Sequence, residues 1–194
     1  MQLYTSPASP FGRKVRACAS VREIDAQITV HNTDPQKADT ALWEANPLGK
    51  IPALVTEDGL GMYDSRVICE YLDTVGDAPL LFPEHGRARW RALLQQALAD
   101  GIMDAGVLRR SEVLRSDPRQ ALLDRQKAKI DRSLAVLDDE VPHHNVDIGV
   151  IAVACALGYL DLRFSHEPWR DAHPKLAAWF AEVAELPWMV STAA

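Results

Sequence analysis

The sequence predicts an α/β unit followed by an all-α one: a four-stranded mixed sheet with helices on its faces, then a helical bundle. Three observations carry this reading. Short β-type runs and helical stripes alternate in the order β-α-β-(α)-β-β-α within about the first 76 residues. The stretch "GDAPLLFPEHG" then breaks the pattern with proline and glycine. Everything after it has helical periodicity. The expected division is 1–77, a linker at 78–86, and a helical domain at 87–194.

"MQLYTS" reads as the first strand. Ser9 before Pro10 is a strong helix start, since an N-cap hydroxyl precedes a proline at the first helical position. Val15, Cys18, Ala19 and Arg22 follow at helical spacing, and the arginine stem can lie across the end of the stripe. "DAQITV" predicts a second strand with Ile28 and Val30 on one face; the helical crossover makes it parallel to the first. "DPQKADTALWEAN" is a short, poorly amphipathic helix. "IPALVTEDGLGMYD" has two apolar runs around a turn-rich connection, the pattern of a hairpin. In "DSRVICEYLDTVG", Val67, Ile68, Tyr71, Leu72 and Val75 form a stripe, Asp64 or Ser65 can cap it, and Gly76 ends it.

In the second part, Trp90, Leu93, Leu94, Ala97, Leu98 and Ile102 recur at helical spacing. Asp117-Pro118 opens another helix, with Leu123, Ile130, Leu134, Leu137 and Val141 inward. Asp147 can cap "IGVIAVACALGYLDLRF", which is apolar on nearly all sides and therefore central to its bundle. Pro174 begins a last helix through Leu176, Trp179, Phe180 and Val183.

At 194 residues the chain buries roughly 70% of its unfolded surface and needs no disulfide or metal staple. A net charge of −6 argues against general affinity for nucleic acid or an anionic membrane. The first 80 residues hold 7 basic and 11 acidic side chains, leaving 14 and 16 for the rest, so neither part is a basic module. Cys18, Cys69 and Cys155 are far apart and lie in apolar helical patterns, where free cysteine packs as a small hydrophobe. No CxxC or Cys/His zinc spacing is present, and His143-His144 lacks partner ligands, so no metal is expected. With no signal peptide and no apolar run of membrane-spanning length, the expected compartment is the cytoplasm.

Three features of the first part converge on chemistry. Ser9 lies at a helix N-terminus, where free N–H groups and the macrodipole favour an anion. Pro52 in "NPLGKIPAL" opens a strand, where its missing N–H costs least. Asp64-Ser65 brings a carboxylate, a hydroxyl and free N–H groups to another helix start. A β-α-β…β-β-α order with proline opening the third strand is the layout of a thioredoxin-type domain. From local sequence alone, Ser9 and the Asp64-Ser65 pair are also fully explained as caps, Lys50 as a loop residue and Arg13 as a solvated charge.

The chain resembles the glutathione transferase superfamily over its whole length, and in particular bacterial members related to the omega and zeta classes. The resemblance rests on "SPF" with "RKVR" after the first strand, "NPLGKIPAL", "DSRVICEYL", "LADGIMDA" and "ACALGYLDLR". It implies glutathione as co-substrate. Pro52 would be a cis-proline, and the Ile51 backbone would pair with the cysteinyl unit. Ser65 would take the γ-glutamyl carboxylate with Asp64 near the ammonium, and Lys50 would approach the glycyl carboxylate. Ser9 stands where omega-type relatives carry cysteine. Serine cannot form the mixed disulfide of thiol transfer, but it can hydrogen-bond a thiolate, as the catalytic serine of zeta-like relatives does. Ser6 and Tyr4 are lesser candidates.

A free thiol ionises with a pKa of about 8.5, so useful ionisation at neutral pH needs a drop of ~1.5–2 units, or ~2–2.7 kcal/mol. An exposed helix N-terminus supplies roughly 0.3–1 kcal/mol, and a hydrogen bond to a charged group roughly 1.5–3. Together they suffice.

The resemblance further implies a homodimer, conjugation of small hydrophobic electrophiles in detoxification, and an apolar pocket drawn from Met103, Val107 and the tail near Trp188. Asp100 in "LADG" is either a surface charge or an acid reaching the glutathione ammonium of a partner subunit. Relatives place an aspartate three residues after the cap of the central bundle helix. Here Val150 stands there, so the return bond of a capping box is lost, at ~1 kcal/mol. Two alternatives remain: a non-catalytic protein-binding module of the stringent-starvation type, and a glutathione-dependent reductase.

Overall fold

The computed structural model describes residues 1–194. Strands β1 (Gln2–Thr5), β2 (Thr29–Asn32), β3 (Ala53–Val55) and β4 (Gly61–Met62) form one mixed sheet in the order β2-β1-β3-β4. β1 and β2 are parallel, joined through helix α1 (Pro10–Val21), while β1–β3 and β3–β4 are antiparallel. Helices α2 (Thr40–Ala45) and α3 (Ser65–Leu72) complete a thioredoxin-like domain. The bundle that follows consists of α4 (Gly86–Val113), α5 (Gln120–Asp139), α6 (Ile148–Phe164), α7 (Pro174–Val183) and a short α8 (Pro187–Val190).

Ser9 caps α1 as its sequence dictates, accepting the Gly12 N–H at 3.1 Å with Pro10 at the first helical position. Gly12 lets the helix approach the sheet closely, for a Cβ there would lie 1.8 Å from Thr5 Oγ1. At the other end, Arg22 does more than cover the apolar stripe. Its buried guanidinium donates to the carbonyls of Val75 (3.1 Å), Gly76 (2.8 Å) and Ala78. Asp73 beside it accepts the N–H groups of Leu81 (2.7 Å) and Phe82 (2.9 Å). The Pro/Gly-rich connection is therefore tied down from both sides, with Leu81 and Phe82 buried.

Four expectations need correction. The second strand does not begin at Asp25, because Asp25–Gln27 forms a 3-10 turn and pairing with β1 starts only at Thr29. Val67 stands half exposed outside the buried face of α3, which consists of Ser65, Ile68, Cys69 and Leu72. Helix α5 does not open at Asp117-Pro118. Its N-terminus is set by Glu112, whose carboxylate accepts the Arg119 N–H at 2.7 Å and its side chain at 2.8 and 3.0 Å. Those contacts hold the Glu112 carboxyl at a pKa of about 2.

The fourth concerns α4. Its apolar stripe coincides only in part with its buried face, since Trp90 is 65% and Leu94 69% exposed. Ile102 of that stripe is buried and Leu93 and Leu98 pack partly against the core, but the inward side is shared with Ala92, Gln95, Gln96, Ala99, Asp100, Met103 and Arg109. α6 does run through the centre, buried on nearly every side. At its start Asp147 accepts the Val150 N–H at 2.9 Å as the cap and meets His143 Nε2 at 3.1 Å. Ile148 N–H donates to the Leu81 carbonyl at 3.0 Å.

Candidate active site

Register brings the expected site residues to one end of the sheet. Tyr4 pairs with Ala53 and Leu54 with Met62. The C-terminal end of β1 (leading to Ser9), the N-terminal end of β3 (preceded by Ile51-Pro52) and the end of β4 (leading to Asp64-Ser65) therefore face the same edge.

The Ile51–Pro52 bond is cis, as is Tyr63–Asp64. Ile51 makes no hydrogen bond through its N–H or C=O. Lys50 is exposed, and its carbonyl accepts from Asn46 Nδ2 at 2.8 Å. Asp64 caps α3 by accepting the Arg66 N–H at 2.9 Å. Ser65 keeps its N–H and hydroxyl free of partners at the first turn of that helix. This leaves an edge of unpaired donors and one acceptor beside a helix N-terminus, the arrangement that binds an extended peptide bearing a carboxylate.

Ser9 lies a short way along the same end, at the mouth of a cavity of about 320 Å³. Its Oγ spends one lone pair on the Gly12 N–H, and its proton remains free to be donated. Capping and thiolate stabilisation are thus compatible in one hydroxyl. The cavity wall comes from Pro7, Ala8 and α6 (Gly158, Tyr159, Leu162), with Arg13 at its side. Met103 and Trp188, expected to line such a pocket, are instead packed into the core.

Two clusters escaped the sequence reading. Asp100, neither a surface charge nor free for a ligand, is buried with Oδ1 2.6 Å from the equally buried Lys14 Nζ and Oδ2 3.0 Å from Arg66 Nε. One helical turn on, Asp104 lies within electrostatic reach of Asp100, Arg66, Lys50 and Asp64. Partial burial foremost, then the Asp100 charge, raises its carboxyl above the usual range, against the opposing pull of Arg66 and Lys50. The available signal was spacing: Asp104 lies four residues after Asp100 on one helix.

The three cysteines are fully buried and free. Burial, assisted by the neighbouring Cys69, pushes the Cys18 thiol well up, and burial pushes Cys155 to about 12. Such thiols are poor nucleophiles. No group of three or more His, Cys, Asp or Glu side chains is arranged to hold a metal ion. No helix is long and apolar enough to cross a membrane.

Residues 3–79 match the family model described as glutathione S-transferase, N-terminal domain, and residues 120–182 that described as glutathione S-transferase, C-terminal domain. Two crystal structures of a glutathione transferase family member from Pseudomonas fluorescens Pf-5 superpose over nearly the whole chain. One has bound glutathione (44% identity, TM-score 0.93, 99% of this chain and 98% of that one). The other has bound S-(propanoic acid)-glutathione (43%, TM-score 0.88, 98% and 97%). The uncharacterized GST-like protein YibF of Escherichia coli K12 is 39% identical over 185 residues, 91% of this chain and 90% of its own. A stringent starvation protein A homolog of Coxiella burnetii is 35% identical over 94 residues, 48% of this chain and 44% of its own.

Proposed function

The chain belongs to the glutathione S-transferase family, and from that premise we propose that it is a glutathione transferase, joining the glutathione thiolate to small hydrophobic electrophiles. The observation that carries this is the Ser9 hydroxyl. It is fixed by its own cap bond, retains a free proton, and opens on a cavity at the end of the sheet where Ile51 and Ser65 offer unpaired groups.

In this reading Ile51 pairs with the cysteinyl backbone beside cis-Pro52. Ser65 takes the γ-glutamyl carboxylate at the α3 N-terminus, and Lys50 approaches the glycyl carboxylate. Asp64 together with Asp104 draws the ammonium. Ser9 donates to the thiolate as it forms, and the helix N-terminus adds its field. Ionisation and positioning then carry a bimolecular attack. The family relative with bound S-(propanoic acid)-glutathione, a thioether of the tripeptide, is consistent with such a product. A homodimer and a cytoplasmic detoxification role belong to the same proposal. The outward apolar side chains of α4, Trp90 and Leu94, are surface that a second copy would cover.

Reductase chemistry fits less well, since position 9 carries no thiol and the three that exist are buried. The likeness to a stringent starvation protein over 94 residues supports a second reading, a protein-binding module without turnover. The thiol pKa of glutathione with saturating protein, followed by thiolate ultraviolet absorbance, separates the two. A transferase lowers it to about 6.5–7, and Ser9→Ala returns it by ~1–2 units while kcat/KM for conjugation falls roughly 10–100-fold, the worth of one charge-assisted hydrogen bond. An unshifted thiol leaves Ser9 as a cap alone and favours the binding module.

A further inference from the structure

The cavity beside Ser9 has one charged wall that the thiol chemistry does not use. Arg13, one turn into α1, donates through Nη2 to the Met189 carbonyl at 2.9 Å, and its Nε lies 3.5 Å from Thr192 Oγ1. These contacts fix the guanidinium plane. Its Nη1 edge makes no hydrogen bond, and no carboxylate lies within 4.0 Å of the group. That edge rests against α6 at Gly158, where a Cβ would stand 2.5 Å from Nη1. Glycine at this position leaves the arginine room to reach the cavity.

The other charged side chain at the wall is already neutralised. Asp161 accepts both arms of Arg170 at 2.7 and 2.6 Å, and Trp169 Nε1 at 3.0 Å. What remains is mainly apolar surface from Pro7, Ala8 and Leu162, with Tyr159 and Ala194 also at the wall, and the one positive edge of Arg13. A partly buried guanidinium with a free, fixed N–H edge matches a planar two-oxygen anion.

We propose that Arg13 determines specificity: the cavity takes an apolar electrophile that bears a carboxylate, held on the Nη1 edge with its reactive carbon toward the thiolate at Ser9. This rests on the transferase reading above and names its substrate class. With a chloronitrobenzoate the step is a substitution. The sulfur–carbon bond forms, the carbon–chlorine bond breaks, chloride leaves with the bonding pair, and the thiol proton has already gone to solvent. Nothing is oxidised.

The test compares 4-chloro-3,5-dinitrobenzoate with 4-chloro-3,5-dinitrobenzamide, each kcat/KM divided by the uncatalysed rate with glutathione. The acid is expected to be favoured roughly tenfold, the scale of one charge-assisted hydrogen bond. The ratio is expected to fall to about one in Arg13→Gln, and again in Gly158→Ala, which keeps the charge but displaces its edge. A merely structural role for Arg13 would lower both rates and leave the ratio unmoved.

Calorimetry of the two glutathione thioethers made from these compounds reads the same preference without turnover and needs only the native chain. Tighter binding of the acid thioether with no turnover of either compound keeps the anion site and removes the conjugation reading. Equal rates and equal affinities overturn the anion site and leave the transferase reading standing. If neither thioether binds, both are overturned.

Discussion

Asp104 shows how a residue's surroundings set its use. Its carboxyl is raised by partial burial and by the Asp100 charge, so ionisation is less favourable in the fold than in the unfolded chain. A carboxyl with a raised folded pKa subtracts stability once the pH lies above it. Asp104→Asn is therefore expected to leave the melting temperature at neutral pH unchanged or higher. If Asp104 draws the glutathione ammonium, the same change lowers affinity. Affinity of the native protein should also fall as pH drops through the raised pKa, and this pH dependence should vanish in Asp104→Asn. Calorimetric titration across that range, with thermal melts of both proteins, checks the pair of outcomes. A variant that binds glutathione unchanged removes Asp104 from the site, and one that loses stability contradicts the raised carboxyl.

The elements are placed by a few close approaches. α1 meets β1 at Gly12, where any side chain would collide with Thr5 Oγ1, itself buried without a hydrogen-bond partner. Gly12→Ala gains about 0.5–1 kcal/mol of helix propensity but forces overpacking that costs about 1–3 kcal/mol. The net result should be a lower melting temperature and a displaced Ser9, read as a weaker shift of the glutathione thiol. Pairing it with Thr5→Ala removes the nearest colliding atom and should restore much of the stability. If the double variant melts no higher than the single one, the contact is not the reason for glycine.

Across the whole molecule, a buried ion pair joins the sheet domain to the bundle. Lys14 of α1 and Asp100 of α4 meet at 2.6 Å with both side chains shielded from water, and Arg66 of α3 closes the cluster from the surface. Asp100→Asn leaves a buried ammonium without its counter-charge and is expected to cost about 3–5 kcal/mol in denaturant unfolding. Replacing both partners, as in Lys14→Met with Asp100→Leu, should recover most of that loss. A small effect of the single change would mean that water reaches Lys14.

The sequence by itself determined the order of elements, because strand alternation, helical periodicity and caps are local. Ser9, Asp64 and Asp147 each cap the helix they precede, and α6 announced its central position by being apolar on nearly every side. The resemblance carried by "NPLGKIPAL" and "DSRVICEYL" likewise identified the family from contiguous residues. Only the tertiary structure decided which face of α4 turns inward. Periodicity defines a stripe but not its partner, and here Asp100 is drawn in by Lys14, 86 residues away, while Trp90 and Leu94 stay outside. The same holds for Asp104, whose neighbours come from three separate stretches of chain, and for Arg13, whose free edge exists because Gly158 lies opposite it. A local pattern records the energetics of one element. Charge pairing and close approach depend on distances between elements, which are set only when the chain has folded.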